Sequence, residues 1–408
     1  MLDISAVFNA IGYNTRVVFM GVTLLGVAAG VVGTFTFLRR RSLLSDALSH
    51  ATLPGICVAF LLGNAVGLNA RSLPVLLSGA ALFGVIGLMS VQWLNRQTRL
   101  NEDASIAVVL SGYFGLGVVL LTLVQTVSTG NQAGLESFIM GQTAAMSAGE
   151  ALAIAVLAFV AILITVLLFK ELMLYSFDPD FAQGQGWSVD RLDYVVAGLT
   201  VFVTVIGLQS VGLILIVALL IIPPVSARFW TDTLSHLVVI SGGIGGLSAL
   251  TGALLSSQIV NMPTGAIIVC CAGFLFVVSL LFAPRRGVIG VLLRRATSQQ
   301  KLLQTRQLIA LLKPTAPSRL TPRQQRVMAA LASRGLVKNH QLTPAGVEMA
   351  TQARDNLRLW EEYLFEPTGQ LPENCQWGVD DIHQMLPEDS VRLLSGRLKK
   401  RMAEESVS

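Results

Sequence analysis

The chain has 408 residues, 53% of them hydrophobic and only 13% charged, with a mean hydropathy of +0.66. A soluble domain carries about twice that charged fraction, so a soluble globular protein is excluded and a polytopic membrane protein is expected. The formal net charge of +5 becomes informative only once it is located along the chain.

The first fifteen residues carry Asp3 and no basic stretch before an apolar core, so no cleavable signal peptide is expected. Nine apolar segments follow, at 17–38, 43–68, 72–94, 103–127, 151–170, 192–208, 210–223, 237–256 and 264–283. Most approach the roughly 20 residues that a bilayer crossing requires. Segments 192–208 and 210–223 meet at Gln209 with almost no loop, so one of them reads as a half-span and the count is eight or nine. Glycine recurs in several spans (Gly21, Gly26, Gly30, Gly33; Gly79, Gly84, Gly87), as in closely packed membrane helices.

Basic residues fall on alternate connections: Arg39-Arg40-Arg41, Arg96 with Arg99, Lys170, Arg191, Arg228 and Arg285-Arg286. The opposite connections hold Arg71 and no other Lys or Arg in 69–71, 128–150 or 257–263. The positive-inside rule then places the N-terminus outside and the C-terminus in the cytosol.

From Pro284 to Val347 there are twelve Lys or Arg and no Asp or Glu, and from Glu348 to Asp389 there are ten acids against Arg354 and Arg358. A basic block followed by an acidic one, with apolar residues at helical spacing, reads as a folded cytosolic appendage. The plain account of the basic block is contact with anionic lipid, and nucleic-acid phosphate is the other. The expected division is a membrane domain over 1–290, a basic juxtamembrane helix over 291–319 and a cytosolic domain over 320–408.

Asp46 and His50 interrupt the second apolar segment. A spacing of four puts both side chains on one helix face, about one turn apart. A carboxylate inside a membrane costs about 2.5–3.5 kcal/mol even on lenient scales, so it persists mainly where it faces a polar path. Imidazole with carboxylate is also a ligand pair suited to divalent transition metals. The local alternative is that Asp46 caps the helix or pairs with the preceding arginines while His50 bonds a backbone carbonyl. Pro54-Gly55 is expected to distort the helix just beyond. The cysteines, Cys57, Cys270, Cys271 and Cys375, have no CxxC spacing and read as inert thiols. His236 reads as an interfacial residue. No G-x-x-x-x-G-K-[ST] and no H-E-x-x-H occurs, so neither a phosphate-binding loop nor a zinc protease site is expected on this chain.

Four separated stretches carry a resemblance: LRRRSLLSDALSHATLPG from Leu38 to Gly55, NEDASIA from Asn101 to Ala107, YSFDPDFA from Tyr175 to Ala182, and VGLILIVALLIIPP from Val211 to Pro224 leading into Val225-Ser226-Ala227-Arg228. Over 15–285 the chain resembles the ABC-3 family, the permease subunits of bacterial manganese, zinc and iron ABC importers. The resemblance implies an all-α polytopic inner-membrane permease with Asp46 and His50 on the metal path. It also implies a separate ATPase, a metal-binding lipoprotein or periplasmic protein outside, and a second permease copy or paralogue. The transported ion would be the only metal, with no resident cofactor. Two stretches become candidate ATPase contacts: Asp178-Pro179 through Gly186, and Pro223-Pro224 through Leu234 with Arg228 and Asp232. Pro223-Pro224 is expected to end a span and Val225–Trp230 to form a short helix that fits a groove on a soluble partner.

The tail resembles DtxR-type metal-dependent repressors over 320–395. Leu331 to Val337, followed by Leu342 to Gly346, looks like the end of a recognition helix and the wing of a winged-helix module. Leu357 stands where that family has His, and Asp381 to Pro387 lacks its Glu-His pair. Specific DNA binding and metal sensing are therefore not expected. Two other classes remain as alternatives, an ion-coupled secondary metal transporter and a membrane-tethered metal-responsive regulator.

Overall fold

Hydrocarbon offers no hydrogen-bond partner to a backbone, so each apolar stretch must close its own N–H and C=O groups within a helix. The computed structural model describes residues 13–39, 41–67, 72–127, 146–258, 263–284, 286–312, 321–339, 341–364 and 380–405. Arg40, Arg71, Arg285, Cys375 and the connections 128–145 and 313–320, on which parts of the sequence reading rest, lie outside these residues. The chain forms two compact units, 1–288 and 289–408.

The first unit is all helical among the described residues. Its long helices are α1 (Tyr13–Leu38), α2 (Ser42–Ala65), α3 (Leu73–Gln97), α4 (Glu102–Val127) and α5 (Ala148–Leu167). The short helices α6 (Phe169–Phe177) and α7 (Pro179–Gly184) follow, then α8 (Val189–Val211), α9 (Leu213–Arg228), α10 (Leu234–Gln258) and α11 (Thr264–Phe282). Eight of the described helices are long and apolar enough to cross a membrane, and α9 is shorter. The question of eight spans or nine turns on that helix. It leaves α8 at Gly212, whose φ of 87° lets two helices reverse with no loop between them. It ends among Phe35, Leu172, Tyr175, Leu192 and Leu234, through Ala227. Helix α9 therefore runs back the whole way to the end of the bundle where α1 finishes and α8 begins.

Two clusters build the membrane core. One gathers α1, α5, α8 and α9 around Val22, Leu25, Ala158, Val203 and Leu219. The other gathers α2, α3, α4 and α8 around Leu48, Ile56, Ala80, Ile106 and Val205. Helix α8 belongs to both, and Thr36 on α1 and Thr200 on α8 share a buried hydroxyl bond of 3.0 Å.

The structure corrects one expectation. Pro223 and Pro224 do not end a span: α9 continues through both to Arg228, and no separate helix begins at Val225. Pro224 gives no N–H to the carbonyl of Leu220, four residues back. That carbonyl faces the backbone of Gly33 on α1, where a Cβ would lie 2.1 Å from the Leu220 oxygen. Close packing of α1 supports α9 where the proline pair weakens its ladder. In the same way α2 runs unbroken through Pro54, with Gly55 packed on the backbone of Gly79 in α3.

The second unit comprises α12 (Val288–Ala310, entered from the first), α13 (Pro322–Ser333), a two-stranded antiparallel sheet of β1 (Val337–Lys338) and β2 (Gln341–Leu342), α14 (Pro344–Leu364), α15 (Ile382–Met385) and α16 (Glu388–Glu405). A box of Thr321 and Gln324 starts α13. Leu308, Met328, Leu331, Leu336 and Ala350 form one small core, and Trp360, Ile382, Val391 and Leu394 form another.

Gly33→Ala is expected to lower the stability of the permease by about 1–3 kcal/mol, the usual cost of overpacking. Gly198→Ala, at a glycine with open space around it, should cost nothing. Thermal unfolding of the two variants in detergent checks the contrast.

Candidate metal site and its surroundings

Asp46 and His50 lie four and eight residues beyond Ser42, so about 6 and 12 Å along α2. Asp46 Oδ1 stands 3.5 Å from His50 Nε2, and their side chains are 35% and 20% exposed. The pair is thus reachable rather than sealed in the core. Ligand atoms each about 2.1 Å from a tetrahedral ion are about 3.4 Å apart, so the observed separation suits one ion held by both. His50 Nδ1 is buried with no hydrogen-bond partner. The ring stands edge-on to Phe114 of α4, with centroids 4.9 Å apart and planes at 80°. Pro54 gives no N–H to the carbonyl of His50 either, so the residue also has a backbone oxygen without a helical donor.

Among the described residues, neither part of the local alternative appears. Asp46 does not cap α2, whose N-cap is Arg41, and Arg41 turns to Glu102 and Asp193. No group of three or more His, Cys, Asp or Glu that could hold a metal ion occurs among the described residues. One copy of the chain therefore offers two side-chain ligands at this place. Cys57, Cys270 and Cys271 are free thiols outside any such group. His236 Nδ1 shares a 2.7 Å bond with the Thr233 hydroxyl at the start of α10.

The two loop stretches are separate places on the first unit. Asp178 caps α7 by accepting from the Phe181 N–H at 2.9 Å, with Pro179 in the first turn. The large apolar side chains exposed there are Phe181 and, just beyond the stretch, Trp187, beside exposed Asp178, Asp180, Gln183 and Gln185. At the end of α9, Pro223 and Pro224 are buried, so the surface of that stretch is Arg228, Trp230 and Asp232. Arg228 lies 3.3 Å from Asp232, which also meets Arg286 at 2.7 Å.

The residues that sequence reading missed form a charged cluster at the Arg-rich end of the bundle. Arg41 pairs with both Glu102 and Asp193. Asp193 also accepts from the Tyr175 hydroxyl and, at 3.5 Å, from Gln92 Nε2. Arg39 stacks over the Tyr175 ring, 4.4 Å from its centroid. One arginine thus bridges two carboxylates, while a second stacks on the phenol that donates to one of them. Burial of Tyr175, followed by its hydrogen bond to Asp193, pushes the phenol well above its ordinary value near 10. A raised value favours the neutral form, so the stability it brings is complete below about pH 10 and is lost only as pH rises beyond. Tyr175 therefore remains a donor throughout the physiological range. A cavity of about 160 Å³ adjoins the cluster, lined by Arg41, Leu44, Gln92, Glu102 and Asp193 among others. The signal in the sequence was Asp193 itself, an acid five residues into an apolar helix.

Comparison with known proteins places these features in a family. The model of the ABC 3 transport family matches residues 13–283, nearly all of the first unit. The chain belongs to the ABC 3 transport family. It is 42% identical over 295 residues to the manganese transport system membrane protein MntC of Bacillus subtilis, covering 71% of this chain and 67% of that one. It is 40% identical over 283 residues to the zinc transport system membrane protein TroC of Treponema pallidum, covering 69% and 93%. Among solved structures it resembles PsaBC from Streptococcus pneumoniae in complex with Fab, with 28% identity and a TM-score of 0.57 over 66% of this chain and 92% of that chain. The ABC 3 match contains Asp46, His50, the Arg41 cluster and both loop stretches, and it ends before the second unit.

Proposed function

We infer that this ABC 3 family chain is the membrane permease of an importer for a divalent transition metal ion, with manganese and zinc the first candidates and iron the third. One observation carries the reading: a carboxylate and an imidazole 3.5 Å apart on a helix of the membrane unit, at the separation one bound ion requires. The relatives named for manganese and zinc transport support it. Such ions take four or more ligands, and one chain supplies two side chains. The remainder would come from a second copy or paralogue across a shared path, and from the carbonyl of His50. A two-ligand contribution also keeps binding weak enough for release.

Asp46 and His50 bind and strip the ion of water, and Phe114 holds the imidazole edge-on beside the path. The energy comes from a separate ATPase subunit, since this sequence carries no phosphate-binding loop of its own. A metal-binding protein delivers the ion on the outside. The ATPase would meet the Asp178–Gly186 loop and the Arg228–Asp232 corner. In this reading the Arg-rich end faces the cytosol of a bacterial cell, with the N-terminus outside. The second unit has a helix, a two-stranded hairpin and a further helix in the order a winged helix uses. We assign it a regulatory or structural role on the cytosolic side rather than specific DNA recognition. Family membership favours this reading over an ion-coupled secondary transporter or a tethered regulator.

Asp46→Ala and His50→Ala are each expected to abolish uptake of radiolabelled Mn²⁺ and Zn²⁺ while the protein stays in the membrane at normal level. Undiminished uptake in both variants would sink the metal-path reading. For the ATPase contact, Arg228→Glu should reduce metal-stimulated ATP hydrolysis by the reconstituted complex. Activity equal to that of the unaltered complex, with the ATPase still co-purifying, would move the contact to the Asp178 loop.

A further inference from the structure

We propose that the cluster of Arg41, Asp193 and Tyr175 is the mechanical link by which the loop after α6 moves the metal-binding helix α2. The inference rests on the reading above, in which that loop meets the ATPase and α2 carries the ion.

The placement of each residue makes the case. Arg41 is the N-cap residue of α2, so whatever displaces its guanidinium displaces the start of the helix that bears Asp46 one turn later. Tyr175 is fully buried on α6, three residues before Asp178, the side chain that caps α7. A push on α7 therefore reaches the phenol through less than one helical turn. Asp193 on α8 accepts from both Arg41 and Tyr175 and joins the two ends. Helix α8 is also the element common to both halves of the membrane core, which makes it the fixed post between them.

The chemistry suits a device with two settings. Charge-assisted bonds are directional and are made or broken, whereas apolar contacts slide. Glu102 at the start of α4 gives Arg41 a second carboxylate, so the guanidinium can release Asp193 without being stranded. The adjoining cavity, lined by Arg41 and both of its carboxylates, gives the side chain room to turn. Arg39, stacked on Tyr175, ties the end of α1 to the same ring. A purely structural staple would need neither the second acceptor nor the space beside it. The sequence presents Arg39 and Arg41 only as topology signals; their partners give them this further role.

The test uses the full chain with its ATPase in proteoliposomes, with import of Mn²⁺ and Zn²⁺ and hydrolysis of ATP measured on the same sample. Tyr175→Phe deletes one hydroxyl, Asp193→Asn deletes one charge, and the double variant deletes both. Each single variant should lower ions imported per ATP hydrolysed by about tenfold or more, the worth of a hydrogen bond to a charged group. The ATPase should still co-purify and hydrolysis should continue. The double variant should be no worse than the more impaired single one, because both changes break one link. A wild-type ratio in Tyr175→Phe overturns the proposal, even if Asp193→Asn fails to fold. So does a loss of import that only follows the amount of folded complex, with the ratio unchanged. His50→Ala run in parallel keeps the two readings apart. Normal import in that variant defeats the metal path, whereas lost import there beside a normal ratio in Tyr175→Phe defeats the link alone.

Discussion

The absence of any hydrogen-bond partner in hydrocarbon governs this molecule more than any single contact. It forces the first unit into helices and turns small polar side chains back onto their own backbone. Thr34 donates to the carbonyl of Gly30, Thr165 to that of Ala161 and Ser226 to that of Ile222. It also gives prolines their weight. Pro54, Pro223 and Pro224 each deprive a carbonyl one turn back of its donor, and two of the affected residues sit at consequential places. Leu220 is answered by the close approach of Gly33. His50 is left with an imidazole Nδ1 without a hydrogen-bond partner and a backbone oxygen without its helical donor.

Charge follows the same logic. An ion inside the bilayer is expensive, so charged side chains gather at helix ends or face a polar path. Arg41, Glu102 and Asp193 satisfy one another at the Arg-rich end, with Tyr175 and Gln92 completing the donors. Removing one member of such a half-buried group strands the rest, at a cost of up to about 3–5 kcal/mol where the pair is fully buried. The group is therefore strong enough to hold the bundle end together. It is also discrete enough to exist in two arrangements. Asp46 and His50 are the contrast: they face each other at a distance too long for a good hydrogen bond and suited to an ion between them.

The second unit rests on different physics. Its helices are amphipathic rather than apolar, and two small cores, around Leu331 and around Trp360, account for its order. Trp360 Nε1 and Asn356 Nδ2 both donate to the carbonyl of Asp380, while Asn356 Oδ1 accepts from the Ile382 N–H, all at 2.9 Å. One asparagine thus anchors the chain where it enters α15. Its sequence is charged in blocks, basic before Val347, acidic from Glu348 to Asp389 and basic again beyond, which suits a part that meets water, lipid headgroups or another protein.

The sequence alone determined the helices and the shared face of Asp46 and His50, because both are local. Hydropathy over about 20 residues marks a crossing, and a spacing of four puts Asp46 and His50 on one face whatever surrounds them. It could not decide the role of Pro223-Pro224, since a proline pair reads as a stop until a neighbour such as Gly33 supports the helix from the side. Nor could it reveal the charged cluster. Arg41 and Asp193 are 152 residues apart, and Tyr175 lies on a third element, so nothing in their spacing connects them. Local periodicity fixes which residues are helical and which share a face; only packing decides which helix ends meet, and with them which charges find each other.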